Sequence, residues 1–406
     1  MKCLCPVVVL AFLLILSVPH LMASTIHVPA QQPTIQDGIN AAKNGDKVLV
    51  APGTYTENIN FMGKAITVTS SGGPKVTIID GNAVAPVAVF VTGEGPDSVL
   101  SRFTLKNGFA SFEYQYQGGG VSISSASPTI TKNVITNNAS SDGYGGGVGI
   151  YFGSPIISDN VISNNYGQFG GGMSILGTSN AQLLNNTITG NTAGNGAAAI
   201  LDGAANVFIE DNKILSNSAT GGQGGGFYIV NESDEIIVQN LFANNIASSG
   251  SQIYSLIPES QKGFALINNT FVSAPNGDAD AAVIADGFNT NVLIENNIIY
   301  AVGDNAALLC NPIYQDGPPI VEFNDAFNPS ISYGDSCSGF SGINGNISGD
   351  PKLANVAKDS YQLKSDSPAI NAGSNSAPYL PGKDLAGHPR IVGGTIDMGA
   401  YEYQRN

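Results

Sequence analysis

"GGGVSISSASPTITKNVITNN" at Gly118–Asn138 returns as "GGGVGIYFGSPIISDNVISNN" at Gly145–Asn165, 27 residues later. An asparagine ahead of an x-apolar pair keeps the register. Asn133, Asn160, Asn186, Asn212, Asn240, Asn269 and Asn297 recur at intervals of 27, 26, 26, 28, 29 and 28. A repeat of this length marks a solenoid, in which each unit buries its apolar face against its neighbours. The apolar positions are mostly Ile and Val in alternating runs such as "PTITKNVIT" and "NVFIEDNKIL". The returns are Gly, Ser, Asn and Thr, which disfavour a helix. A leucine-rich repeat would want Leu and often a helical return. Three short strands per unit fit better, and the chain reads as an all-β, right-handed parallel β-helix, because parallel crossovers are nearly always right-handed.

The asparagines have a physical task in such a solenoid. Asn tolerates the left-handed backbone of a tight bend, and its amide can donate to one neighbouring coil and accept from the other. Stacked, these seven residues form an internal ladder whose buried amides satisfy one another. The glycines mark the corner where the chain turns sharply and backbones approach closely.

The chain begins with Lys2, the apolar run "VVVLAFLLILSV", and small residues near Ala23 and Ser24. Residues 1–23 therefore read as a secretory signal peptide, with Leu21 making the cleavage site less than ideal. The run is short for a membrane anchor, and no later segment is apolar enough to span a bilayer. Cys3 and Cys5 precede the run, against a lipoprotein. The net charge is −15 with only 12% charged residues. That surface disfavours nucleic acid and anionic lipid, and disfavours a polyanionic polysaccharide unless a divalent cation bridges the two. Cys310 and Cys337, left after processing, point in an exported chain to one disulfide, with free thiols as the alternative.

The N-terminal "PTIQDGINAAKNGDKVLVAPGTYTENINFMGKAITVTS" and "VTIIDGN" resemble the start of right-handed β-helix proteins of the pectin-lyase-like superfamily. The resemblance implies a short helix closing the first coil. Here Thr34 and Asp37 suit a capping box, while Ile35, Ile39 and Ala42 share one face. The C-terminal "DPKLANVAKDSYQLKSDSPAINAG", "DLAGHPR" and "DMGAYEY" resemble the tail of exported bacterial proteins called choice-of-anchor Q. The expected organisation is a signal peptide at 1–23, a β-helix at 24–301 and a C-terminal cap and tail at 302–406. Within the β-helix a capping helix lies near 34–43 and clear repeats run over 118–301. The cap is expected to be irregular, with a Cys310–Cys337 bridge spanning about one coil.

The superfamily resemblance implies polysaccharide lyases, hydrolases and esterases. Gly53–Glu57 (Gly-x-Tyr-x-Glu) resembles the opening of pectin methylesterases, but the paired aspartate segments of that family have no counterpart. The Gly-His-Gly and Asp-Asp signatures of polygalacturonases are also missing. On the first strand of each coil, alternation puts Ser122, Gly149, Ser174, Ile200 and Tyr228 outward, followed by Ser124, Tyr151, Leu176, Asp202 and Val230. Asp202 is the one carboxylate among them; Asp202-Gly203 and Asp286-Gly287 read as turns. A second strip precedes the ladder: Arg102, Lys132, Asp159, Asn185, Asp211 and Gln239. Asp159 and Asp211, two coils apart, are about 9–10 Å apart at sheet spacing, near the upper limit for an inverting glycosidase pair. A solvated turn ridge is the competing reading.

The loops before the glycines carry Phe109, Phe112, Tyr114, Tyr116, Tyr144, Tyr166 and Phe169, all at one corner of successive coils. Aromatic faces stack on sugar C–H surfaces, with Glu113 and Asp142 as hydroxyl acceptors; the alternative is a small satellite core. In the tail, His388 lies beside Asp384 and Arg390, which read as a closure held by an Asp–Arg contact. The expected function is an exported, monomeric β-helix protein that binds polysaccharide or a cell-surface glycan at the cell surface or in the matrix. A polysaccharide lyase or glycoside hydrolase is the first alternative, and a structural or adhesive protein the second. No cofactor is expected; calcium enters only with an anionic polysaccharide.

Overall fold

The computed structural model describes residues 23–404, apart from 112–117, 142, 178, 205, 258–262, 288–290, 312 and 314–318. The segment read as a signal peptide lies outside the described residues except for its last position. The protein is a parallel β-solenoid of about ten turns. Strands stack coil on coil into a 12-stranded sheet before the ladder, an 11-stranded sheet after it, a 6-stranded sheet of short strands, and an 11-stranded sheet after the glycines. Three strands per coil were expected. The fourth, short-strand column runs from Phe109–Ala110 to Ile246–Ser249 and occupies the corner read as loop. Strands of two to six apolar-poor residues leave little alternation to detect.

Stacking identical positions builds the core. Ile130, Ile157, Leu183, Ile209, Ile237, Leu266 and Ile294 pair in register and are fully buried. Ile135, Ile162, Ile188, Ile214, Phe242, Phe271 and Ile299 form the facing column. Each such side chain stabilises the fold by about 1.5–3 kcal/mol.

Between these columns runs the asparagine ladder. Asn160 Nδ2 donates to Asn186 Oδ1 at 3.1 Å and to the Ile130 carbonyl at 2.9 Å, and the pattern repeats from coil to coil. The ladder continues past Asn297 through Asn324 to Asn346. A second ladder, Asn138–Asn165–Asn191–Asn217–Asn245, runs where the post-ladder strands turn into the short ones. Gln252 closes it, accepting from Asn245 Nδ2 at 2.7 Å. The left-handed residue is not the ladder asparagine but the one before it: Lys132, Asp159, Asn185, Asp211 and Gln239 have φ between 53° and 60°, and Arg102, ahead of Phe103 on the preceding coil, has φ 68°. Asp and Asn accept that conformation more readily than most residues. The glycine corner is equally constrained. Gly170 has φ 68°, and a Cβ there would lie 1.9 Å from the Met173 carbonyl oxygen.

At the N-terminal end, Ile35–Ala41 forms helix α1, capped by Thr34, whose Oγ1 accepts from the Asp37 amide at 3.0 Å. The Glu57 carboxylate accepts from the Ile35 and Gln36 amides, 2.9 and 3.0 Å away. This cap accounts for Glu57 in the Gly53–Glu57 run as helix chemistry.

The C-terminal end departs from expectation. Strands Ala306–Asn311, Ile320–Glu322, Asp325–Phe327 and Ile331–Asp335 continue the three main sheets, so stacking does not stop near 301. The Cys310–Cys337 disulfide is buried there, its Cα atoms 5.5 Å apart. Beyond it the chain folds back along the flank. Leu353, Tyr361, Leu363, Met398 and Tyr401 pack on Leu241, Ala243, Val272 and Ile298, on the outer face of the post-ladder sheet. Ala377 and Leu380 cover Val238 and Ile267 on the neighbouring sheet. The tail is thus a strap on two sheets as well as an ending.

Candidate functional site

Asp159 and Asp211, candidates for an acid–base pair, follow different fates on one ridge. Asp159 is exposed and accepts from Asn185 Nδ2 at 2.6 Å. Asp211 accepts from Gln239 Nε2, which also donates to the Lys383 carbonyl of the strap, both at 2.8 Å. Burial raises the Asp211 pKa most; the Gln239 bond and the Arg390 charge oppose it, and Asp384 adds to it. Both aspartates sit at left-handed positions that the backbone demands.

Further along that ridge, Asn268 and Asn296 bind the strap backbone: Asn268 Nδ2 donates to Asp397 and Gly399 carbonyls, and Asn296 Nδ2 to the Ser374 carbonyl. The ridge is a docking seam there. Asp384 shapes a turn, accepting from the Ala386, His388 and Glu402 amides with His388 Nδ1 3.6 Å away, and its charge, after that of Glu402, acts on Arg390. Arg390 is buried and donates to the Gly399 carbonyl.

The aromatic corner divides. Phe112, Tyr114 and Tyr116, with Glu113 and Asp142, lie outside the described residues. Phe109 is half-buried at the start of its short strand. Tyr166 is half exposed on Tyr166–Phe169. Tyr144 and Phe169 stack with centroids 5.2 Å apart. Burial and then the Asp202 charge raise the Tyr144 pKa, and the same two causes, followed by Tyr144, act on Tyr228. Tyr144 therefore sits beside the outer face of the post-glycine sheet.

Strand register turns that face into a groove. Its floor stacks Ile200, Tyr228, Tyr254, Ile284 and Leu309 in one outward column and Asp202, Val230, Leu256, Asp286 and Asn311 in the next. The wall follows the ends of the short strands: Tyr144 pairs with Phe169, Phe169 with Asn195, and Gln223 with Ser249. Asp280 and Asn305 extend it by backbone bonds to Ser248 and Ala279. The five steps from Phe169 to Asn305 span about 24 Å at sheet spacing. Tyr228 and Tyr254 rings lie 5.7 Å apart within it.

At its C-terminal end the groove deepens into a pocket of about 400 Å³. Tyr254, Asp280, Asp286, Asn305 and Asn311 supply most of its polar lining. Tyr254 donates its hydroxyl to Asp286 Oδ2 at 2.6 Å, and Ser249 Oγ donates to Asp280 Oδ2 at 2.6 Å. Asp286 is buried, and its Oδ1 has no hydrogen-bond partner among the described residues. Burial raises the Asp286 pKa first; the Tyr254 bond and the Asn311 side chain offset part, while the Asp335 and Asp280 charges raise it further. Asp202, by contrast, accepts from Asn231 Nδ2 on the groove floor. The strands of this sheet and the wall carry no Lys or Arg among the described residues.

Sequence reading missed Tyr254, Asp280, Asn305 and Asn311, and set Asp286 aside as a turn. Gly287 does hold φ 61°, but the preceding carboxylate faces the pocket. Carrying the outward alternation two coils further would have found Tyr254 and Asp286.

A family model described as "Right handed beta helix region" matches residues 119–299. Among solved structures the chain is similar to pectate lyase Pel9A, with 17% identity, TM-score 0.51 and 90% of each chain covered. A second is a mannuronic acid specific polysaccharide family 6 lyase enzyme from human gut microbiota, with 14% identity and TM-score 0.43, covering 78% of this chain and 83% of that one. No curated protein matches. Together the matched repeat region and the likeness to the pectate lyase structure show that this chain folds as a right-handed parallel β-helix.

Proposed function

We propose that the groove on the post-glycine sheet binds a polysaccharide, and that this polysaccharide is neutral. The observation that carries the reading is the groove itself: aromatic rings on floor and wall, a polar pocket at one end, and carboxylates without basic partners. Tyrosine faces offer stacking area at low entropic cost, and Asn and Asp accept or donate to sugar hydroxyls. Asp202 and Asp280 repel a uronate chain, and no Lys or Arg on the described strands or wall offsets them. The groove is long enough for an oligosaccharide rather than one sugar. Tyr144 and Phe169 extend the surface toward Tyr166 and Phe109. The likeness to a pectate lyase contributes the fold, and the groove chemistry contributes the ligand class.

The chain is read as exported and acting as a monomer at a cell surface or in a matrix. Residues 1–23 and the disulfide, which persists in oxidising compartments, support this. The tail is read as of the choice-of-anchor Q kind. Binding of the purified mature protein to a glycan array, followed by titration of the best glycan, tests the proposal. Tyr228→Ala should weaken binding about fivefold or more without lowering the melting temperature, matching about 1 kcal/mol of stacking. Asp159→Asn should leave affinity unchanged. Equal affinity for Tyr228→Ala and wild type would reject this groove as the binding site.

A further inference from the structure

Successive strands of the post-glycine sheet are followed by a residue with left-handed backbone. At that place Ser125, Gly177, Gly203 and Asn231 have φ between 51° and 71°. On the coil between Ser125 and Gly177 the residue is Phe152, with φ 50°. Glycine and asparagine take that conformation readily, whereas a bulky side chain there is an outlier. The Phe152 ring is not in the core: Phe152 is 50% exposed, and Tyr151 before it 39%. The two rings lie 4.3 Å apart. Phe152 also lies across Gly177, where a Cβ would come within 2.5 Å of its Cε1. A strained aromatic turned to solvent adds little to folding, and strain of this kind points to function.

Tyr151 and Phe152 stand at the far end of Val148–Tyr151 from the wall. Val148 and Ile150 are buried in the core, so Gly149 and Tyr151 face outward. At the near end Tyr144, on the same coil, stacks with Phe169 of the next. Two aromatic pairs therefore flank one stretch of floor. The outward positions between them are Gly149 and Ser174, so no large side chain of the strands parts the pairs. Four residues at strand spacing put about 10 Å between the foot of the wall and the rim. A sugar ring with aromatic carbon about 4 Å from each face needs about 8 Å.

We propose that the two pairs clamp one ring of the polysaccharide from both faces and select pyranoses whose substituents are all equatorial. This rests on the polysaccharide reading above and narrows its ligand to gluco- and xylo-configured chains. An all-equatorial pyranose turns axial C–H bonds to both faces, so each face can lie on an aromatic ring. An axial hydroxyl, as at C2 of mannose or C4 of galactose, puts an oxygen on one face and removes that contact. The end pocket does not make this choice, because its amides and carboxylates bond hydroxyls of either orientation. Val91, exposed in the same outward column as Ser124 and Tyr151, continues the apolar rim for a longer chain.

The experiment is calorimetric titration of the mature protein with three β-1,4-linked hexamers, of glucose, of mannose and of galactose. The glucose hexamer should bind about fivefold tighter or more than either other, the effect of losing one stacked face. Phe152→Asn and Tyr151→Ala should each weaken glucose-hexamer binding about fivefold and bring the three affinities together. Asn accepts the left-handed backbone, so Phe152→Asn should do this without lowering the melting temperature. Three equal affinities, or a tighter mannose or galactose hexamer, overturn the selection. Wild-type affinity in Phe152→Asn, with Tyr228→Ala weakened, overturns the clamp and leaves the groove reading standing. A melting temperature lowered by Phe152→Asn makes the ring a packing residue and also overturns the clamp. If no hexamer binds while the array yields another glycan, the clamp alone is overturned. An array with no bound glycan overturns both readings.

Discussion

Replacing Asn186 by Ala removes one rung from a buried stack, and the cost follows from what is left behind. Asn186 Oδ1 accepts from the Asn160 amide at 3.0 Å and from Asn160 Nδ2 at 3.1 Å. Its Nδ2 donates to the Ile157 carbonyl at 2.7 Å and to Asn212 Oδ1 at 3.0 Å. Asn160 Nδ2 keeps the Ile130 carbonyl, and Asn212 Oδ1 keeps the Asn186 amide at 2.8 Å. One group loses its bond without such a replacement, the Asn160 amide, because the parallel pairing of Ile156–Ser158 with Gln182–Leu184 leaves the Ile157 carbonyl the Leu184 amide. At about 1–3 kcal/mol for an unmade buried bond, the variant should lose about 1–3 kcal/mol. Equilibrium unfolding in denaturant, disulfide intact, measures it. Asn185→Gly is the control: Asn185 is exposed, its φ of 53° suits glycine, and it forfeits one surface bond to Asp159. That change should stay within about 0.5 kcal/mol. If the two variants unfold alike, the stability does not reside in the ladder.

Asp325 is fully buried, and burial lifts its pKa to about 7. An unfolded Asp carboxyl titrates near about 3.9, so between those values the folded chain holds the extra proton. This contribution is fully present below the unfolded pKa and is lost as pH rises through about 7. Melting temperature should therefore fall across that window, and Asp325→Asn should flatten the fall; an unchanged slope would refute it. Non-reduced peptide mapping should recover the Cys310–Cys337 link. Cys310→Ala with Cys337→Ala should cost about 3–4 kcal/mol in the chain-entropy account of a loop this long, and an unchanged unfolding midpoint would contradict that. In the groove, Tyr228→Ala should weaken glycan binding while Asp159→Asn does not, as a titration of the two variants would show.

The sequence alone determined whatever repeats in register with the chain. A solenoid makes each residue's neighbours the residues one period away, so periodicity translates directly into contact. That is why seven asparagines, the Ile and Val columns and the glycine corner were legible before any coordinates. The asparagine doublets even contained the second ladder, since Asn138 and Asn165 close the two opening segments. The capping helix was readable for a different reason: Thr34 and Asp37 act on backbone only three residues away. What tertiary structure decided lies across the period or far along the chain. The strap brings Lys383 and Gly399 onto Gln239 and Asn268, separations of 144 and 131 residues that no repeat encodes. That docking turned part of the Asp159–Asp211 ridge into a seam. The pocket likewise joins two sheets, because Asp280 belongs to the wall and Asp286 to the floor. Their shared environment depends on how two columns meet in space, and alternation along either strand carries no information about the other.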